Sequence, residues 1–132
     1  MTSSPAPLIS IIVAVFNGKE TLQQCIDSVA QQTYQNKELI VIDGGSNDGT
    51  LDLLNQNSSR LTWLSEPDSG VYSAWNKGLA RAKGEWVCFL GADDFLWDAN
   101  VLEQMAVGGG WWRVSPRATE VNSTRAANWL LL

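Results

Sequence analysis

The sequence predicts an α/β fold, a doubly wound parallel sheet with helices on both faces. Three observations predict it. Four short apolar runs recur between residues 8 and 90. Helical stripes of apolar residues fill the intervals between them. A polar cluster follows each run directly. Runs of that kind read as strands buried on both faces, and parallel strands need a crossover, usually a helix. Right-handed crossovers are then expected to give a sheet with the first strand central, in the spatial order 3-2-1-4.

Leu8 to Phe16 is an apolar run broken only by Ser10, and Asn17-Gly18 ends it. Leu22, Ile26 and Val29 fall at i, i+4 and i+7, one face of a helix. Glu38 to Ile42 is the second strand, ended by Asp43-Gly44-Gly45. Asn47-Asp48-Gly49-Thr50 is turn and cap chemistry ahead of a short helix around Leu51 to Asn55. Leu61 to Leu64 is a third, shorter strand, ended by Glu66-Pro67-Asp68-Ser69-Gly70. Val71, Ala74, Trp75, Leu79 and Ala82 share a helical face, and Gly84 is placed to stop that helix. Trp86 to Leu90 is the fourth strand, ended by Gly91-Ala92-Asp93-Asp94. Asp98 is suited to cap a last helix from Ala99 to Met105.

A chain of 132 residues has room for one domain. Residues 1–7 are polar and proline-bearing and are expected to be a flexible N-terminus; they lack the basic and apolar regions of a signal peptide. Residues 8–105 read as one coherent unit. Residues 106–132 read as an atypical tail, with Gly108-Gly109-Gly110, Trp111-Trp112 and a closing Trp129-Leu130-Leu131-Leu132 in no clear period. Charge changes at the same point: six basic and thirteen acidic residues precede Ala106, and three basic and one acidic follow.

Composition narrows the chemistry. The net charge of −5 argues against a nucleic-acid partner gripped by a basic face. The chain has no His, which removes Ser-His and Cys-His catalysis and His-ligated zinc. Carboxylates and other oxygen ligands remain, and they favour Mg or Mn. Cys25 and Cys88 lie inside apolar patterns and read as buried free thiols of a reduced compartment. No apolar run is long enough to span a membrane.

In a doubly wound sheet, ligands bind at the carboxyl ends of the strands. Asn17, Asp43 to Asp48, Glu66 to Asp68, and Asp93 with Asp94 all follow strands and converge on that rim. Neither a GxGxxG fingerprint nor a Walker A loop is present. Asp43 is suited either to cap a turn or to accept from a bound base or a ribose hydroxyl. Gly44-Gly45 reads as a tight turn needing positive φ. Asp93 and Asp94 repel one another unless a divalent cation neutralises them; the plain alternative is a turn before Phe95. Gly78 inside a helix costs about 1 kcal/mol against Ala and implies close helix–sheet packing or close ligand approach. Lys77 beside it either solvates the helix or faces the rim.

Five segments carry a family resemblance: residues 11–18 (IIVAVFNG), 38–50 (ELIVIDGGSNDGT), 66–72 (EPDSGVY), 76–78 (NKG) and 89–94 (FLGADD). In that order they resemble family 2 glycosyltransferases of the GT-A, Rossmann-like fold, over roughly Leu8 to Met105. The resemblance implies a nucleotide-diphosphate sugar donor, commonly a UDP sugar. It implies that Ala14, Val15, Phe16, Asn17, Asp43 and Gly44 line the donor pocket with Asn76 and Lys77. It matches Asp93-Asp94 to the family's DxD-type motif, with Asp93 on the ribose and metal side and Asp94 on Mn or Mg. The implied reaction is metal-assisted, inverting transfer to an acceptor hydroxyl of a glycan or a lipid-linked molecule in polysaccharide synthesis. The implied location is cytoplasmic, or peripheral at the inner membrane face.

The chain departs from the family after the acidic pair. The general base is normally an Asp well downstream, and only Asp98, Glu103 and Glu120 follow Asp94. None is expected to serve, so the catalytic base stays unassigned. A chain that looks truncated is expected to transfer sugar poorly and to leave the fourth strand as an edge. The alternative is an inactive donor-site fragment that binds only nucleotide and metal. A phosphotransfer domain with acidic strand ends would want a Lys after Trp86 to Leu90, and none is there.

Overall fold

Six of the seven residues in β1 (Ile9–Val15) are apolar and all seven are buried, as a strand in the middle of a sheet covered on both faces must be. The computed structural model describes residues 8–96 and 98–103. After β1 come α1 (Lys19–Ala30), β2 (Lys37–Asp43), α2 (Thr50–Gln56), β3 (Thr62–Ser65), α3 (Val71–Arg81) and β4 (Trp86–Gly91). Every pairing is parallel and the sheet order is β3-β2-β1-β4, as expected.

Alternation along the strands divides the core in two. Ile9, Ile11, Val13 and Val15 meet Leu22, Cys25, Ile26 and Val29 of α1 and Leu54 of α2. Ile12, Ala14, Ile40 and Ile42 lie under Ala74, Trp75 and Leu79 of α3. Each large aliphatic side chain so buried stabilises the fold by about 1.5–3 kcal/mol. Trp75 also donates its indole N–H to the Leu90 carbonyl at 3.2 Å, so α3 is pinned to the end of β4.

Two glycines show what closeness demands. A Cβ on Gly78 would lie 2.3 Å from Cγ2 of Ile12, so packing of α3 on β1, and not ligand approach, explains this mid-helix glycine. Gly84 does not stop α3. The helix ends at Arg81, three residues earlier, with Ala82 already extended at φ −69° and ψ 137°. Gly84 is instead where the chain passes β1: a Cβ there would sit 2.6 Å from both the Leu8 carbonyl and Ser10 Oγ. Ser10, the one polar residue of β1, receives the Gly84 N–H at 2.8 Å and donates to Glu38 at 2.6 Å.

Boundaries differ from expectation by a residue or so. Leu61 is buried in the core but the ladder of β3 starts at Thr62, because burial and strand pairing begin at different residues. Residues 101–103 are helical, and Asp98 accepts the Asn100 N–H at 2.7 Å just before them. The expected extension to Met105, the expected N-terminus at 1–7 and the tail at 106–132 lie outside the described residues. Among the described residues β4 pairs with β1 alone and is an edge.

Candidate functional site

The register aligns the strand ends. Val15 stands opposite Asp43, Asp43 opposite Ser65, and Ala14 opposite Gly91, so the four polar clusters share one rim. Beside it opens a cleft of about 460 Å³. One wall is Ala14, Val15 and Phe16; the other is Asp68, Ser69, Gly70, Val71 and Ala74. Phe16 is 64% exposed, which is unusual for a large apolar residue leaving a buried strand.

The turns around the cleft are stitched together. Asn17 takes the left-handed conformation at φ 52°. Its N–H donates to Ser46 Oγ at 2.7 Å, and its side-chain oxygen accepts the Asn47 N–H at 2.8 Å. Asp48 accepts the Lys19 N–H at 3.2 Å and the Thr50 N–H at 3.0 Å. Those bonds hold the Asp48 carboxyl below the usual range, the Thr50 hydroxyl contributing most. The turn needs positive φ at Gly45 and Gly49, at 96° and 103°. Gly44 needs space instead: a Cβ there would meet both Asp68 oxygens at 3.0 and 3.1 Å.

Asp43 sits behind the cleft wall with no exposed surface. Its Oδ2 accepts from Gly45 N–H and Ser46 N–H at 2.9 Å and from Ser65 Oγ at 2.8 Å. Its Oδ1 accepts from the Ser46 hydroxyl. The carboxylate thus performs the turn-capping half of what the sequence suggested, and most of its acceptor capacity is taken. Ser46 links it to Asn17; nothing in the sequence singled Ser46 out.

Asp93 and Asp94 converge on Gly91. From the point where a Gly91 Cβ would stand, Asp93 Oδ1 is 3.0 Å away and Asp94 Oδ2 is 3.2 Å away. Asp94 Oδ2 is held there by the Gly91 N–H at 2.9 Å. Asp93 is exposed and Asp94 half-buried. Behind them Cys25 Sγ lies 3.9 Å from the Gly91 carbonyl. Its thiol is pushed up to about 12, first by burial and then by the charges of Asp94 and Asp93. Burial likewise pushes the Cys88 thiol up to about 12. Both thiols are free.

Lys77 is tied to the β3–α3 loop. Its ammonium donates to the Pro67 carbonyl at 3.0 Å and pairs with Glu66 at 3.1 Å. Asn76 is half-buried in α3 beside it. The rim therefore carries Asp48, Asp68, Asp93 and Asp94, with Lys19 against the Gly49 turn as the basic residue beside them. At Asp93 and Asp94 a phosphate-bearing ligand would meet repulsion unless a cation came with it. The acidic pair fits a hard cation: two oxygen ligands, one of them pre-oriented, with coordination positions left over. Among the described residues no third His, Cys, Asp or Glu joins them in a metal-binding group. The loop after β3, whose polar cluster the sequence already places on the rim, supplies half the cleft, although the sequence singles out no one residue in it.

The sequence matches the profile of Glycosyl transferase family 2 over residues 10–106. A PGL/p-HBAD biosynthesis glycosyltransferase of Mycobacterium bovis is 44% identical over 105 residues, covering 76% of this chain and 41% of that protein. An uncharacterized glycosyltransferase of Haemophilus influenzae is 39% identical over 103 residues, covering 75% and 41%. The chain thus spans about two-fifths of the length of these relatives. The mannosyltransferase PcManGT of Pyrobaculum calidifontis, in complex with GDP-Man and Mn2+, superposes with a TM-score of 0.70 at 25% identity, covering 83% of this chain and 33% of that one. S. aureus TarS 1-349 in complex with UDP-GlcNAc gives 0.67 at 26% identity, covering 74% and 30%. The sheet order and flanking helices are those of the GT-A fold. No helix among the described residues is long and apolar enough to cross a membrane. The chain belongs to glycosyl transferase family 2.

Proposed function

We propose that this chain forms the donor site of a glycosyltransferase that moves a sugar from a nucleoside-diphosphate sugar, preferentially a UDP sugar, to an acceptor hydroxyl. One observation carries the reading: the Asp93 and Asp94 carboxylates converge at the end of β4, on the rim that also bears the cleft beside Phe16. Ala14, Val15, Phe16 and Asn17 form the base and ribose side, and Phe16 offers its exposed ring to a base. Asp43 and Gly44 act through the turn they shape. Asn76 and Lys77 act from α3, Lys77 by holding the loop that forms the opposite wall.

Asp94, supported by Asp93, holds Mn or Mg. Held there, such an ion would supply Lewis-acid stabilisation of the diphosphate leaving group. The chain's own residues orient the donor and keep its base out of water. PcManGT, with GDP-Man and Mn2+, and TarS, with UDP-GlcNAc, support both the donor class and the ion. The displacement is inverting, with a glycan or lipid-linked acceptor. Neither Asp98 nor Glu103 is assigned the general base: Asp98 caps its own turn, and Glu103 accepts from Thr33 Oγ1 at 2.7 Å. Glu120 lies outside the described residues.

Calorimetry tests the proposal. UDP should bind in the presence of Mn and lose at least about tenfold in affinity on Asp94→Ala, as expected when a charged ligand to the ion is removed. Equal affinity with and without a chelator would overturn it.

A further inference from the structure

We infer that Ser28 and Gln32 of α1 are positioning residues for Asp93 and Asp94: they hold the segment that follows β4 where the acidic pair can take a divalent cation. The inference rests on the donor-site reading above and goes further by naming residues outside the cleft on which ion binding depends. One stripe of α1 faces this segment. Cys25, Ser28 and Gln32 fall at i, i+3 and i+7, on one side of the helix. Cys25 Sγ lies against the Gly91 carbonyl, just before the pair, and Ser28 and Gln32 bond to residues just after it.

The Ser28 hydroxyl has a set direction. It donates to the Cys25 carbonyl at 2.7 Å, which leaves its lone pairs to accept the Leu96 N–H at 3.0 Å. Gln32 is 3% exposed, and its side-chain amide is used at both ends. Nε2 donates to the Ser28 carbonyl at 3.1 Å and to the Asp98 carbonyl at 2.7 Å. Oε1 accepts the Leu102 N–H at 3.0 Å. Both side chains therefore grip backbone atoms of the segment and fix its path.

Packing alone would not do this. Leu96 and Leu102 already pack on the core that α1 shares with β1, and apolar contact has no direction. Hydrogen bonds are directional and fix where each N–H and C=O stands. The acidic pair needs that. On its near side Asp94 is tied to Gly91, whose N–H donates to Oδ2 at 2.9 Å and whose carbonyl accepts the Asp94 N–H at 3.0 Å. On its far side the first anchor is Leu96, two residues on. Two residues span at most about 7 Å, so a slip at Leu96 reaches Asp94 with little slack. Metal sites work within about 0.2 Å of their ideal distances.

Ser28→Ala is the informative change. Alanine suits a helix interior, so α1 keeps its own stability. The Leu96 N–H loses its acceptor, and the segment shifts to find another. Ser28→Thr restores the oxygen, since a helical Thr hydroxyl can bond the same preceding carbonyl. Thr33→Ala is the control: its hydroxyl bonds to the same segment, but at Ala99, Asn100 and Glu103, further from Asp94. The experiment follows the electron paramagnetic resonance signal of free Mn2+, titrated with the whole chain at saturating UDP. Calorimetry of UDP in chelator accompanies it. Ser28→Ala and Gln32→Ala should each raise the Mn dissociation constant about tenfold or more, the range for removing a group that orients a metal ligand. UDP affinity in chelator should not change. Ser28→Thr should recover most of the loss, and Thr33→Ala should cost no Mn affinity. Ser28→Ala decides alone if Gln32→Ala does not fold.

Unchanged Mn affinity in Ser28→Ala overturns the assignment. An equal loss in Thr33→Ala also overturns it, because any loosening of the segment would then suffice. So does an equal loss of UDP affinity in chelator, because the cleft itself would then be distorted. Asp94→Ala separates the two levels. If it abolishes Mn binding while Ser28→Ala leaves it intact, only the role of the α1 stripe falls. If the unmodified chain with UDP binds no Mn, the donor-site reading falls, and the assignment falls with it.

Discussion

Replacing Asp43 with Ala should destabilise the fold more than any other single change on the rim. The substitution removes the acceptor for Gly45 N–H, Ser46 N–H, the Ser46 hydroxyl and the Ser65 hydroxyl. These donors differ in their access to water. Gly45 is exposed and Ser65 half-buried, so both can be hydrated afterwards. Ser46 is 8% exposed, and its two donors would stay buried without a partner. Each such donor costs about 1–3 kcal/mol, so Asp43→Ala should cost about 2–6 kcal/mol. That is a large share of the 5–15 kcal/mol that holds a typical domain together.

Asp43→Asn separates charge from shape. Its oxygen can occupy the Oδ2 position and keep both backbone donors. Its nitrogen then faces Ser46 Oγ, which must rotate to accept. Bonds worth about 1.5–3 kcal/mol to a charged acceptor fall to about 0.5–1.5 kcal/mol each, for a net loss of about 1–3 kcal/mol. Urea unfolding of the three proteins should therefore rank native, Asn, Ala. Amide exchange supplies a local readout, because the Asn17 N–H donates to Ser46 Oγ and should exchange faster in both variants. An alanine variant within about 1 kcal/mol of native, or an Asn variant less stable than Ala, would refute the accounting.

Two further outcomes follow from the core. Cys25 and Cys88 should resist thiol reagents at pH 8 in the folded chain and react together on unfolding, since their thiols are raised from 9.0 to about 12. Folding favours the protonated thiol, so this contribution is intact below about pH 9 and is lost as pH rises towards 12; a stability that climbs over that interval would contradict it. Gly78→Ala should destabilise, because overpacking against Ile12 at 2.3 Å costs about 1–3 kcal/mol and outweighs the helix-propensity gain of about 1 kcal/mol. Ile12→Leu removes the offending Cγ2 and should make Gly78→Ala less costly; additive effects in the double-mutant cycle would show that the contact is not the cause.

The fold was legible because each element announced itself twice, through its own period and through its terminator. β1 shows the limit of that legibility. Its one polar residue, Ser10, looked like an interruption, yet it is fully buried and serves Glu38 and Gly84, residues 28 and 74 positions away. No local pattern carries a bond of that span. Gly84 was misjudged for the same reason: its neighbours in sequence suggest a helix stop, whereas its neighbours in space are Leu8 and Ser10.

The site divides along similar lines. Strand ends locate the rim, because parallel strands point their carboxyl ends one way. What sequence order hides is which carboxylate at that rim faces outward. Asp43 and Asp68 both follow strands, both precede turns, and both lie near glycines. Register and loop closure separate them. Asp43 belongs to the ladder, opposite Val15 and Ser65, and a residue so placed is enclosed by the turns on either side. Asp68 lies three residues beyond the end of β3, in the loop that leaves the sheet for α3, and so reaches the cleft. Gly44 makes the two positions interdependent, since the turn held by Asp43 keeps a side chain away from Asp68. A Gly44→Ala chain should for that reason be less stable, by about 1–3 kcal/mol for the crowding of the Asp68 carboxylate, while Asp43 keeps its four donors. The change would be read in urea unfolding, and an unaltered midpoint would mean that the loop after β3 accommodates the methyl group by moving Asp68 away from the turn.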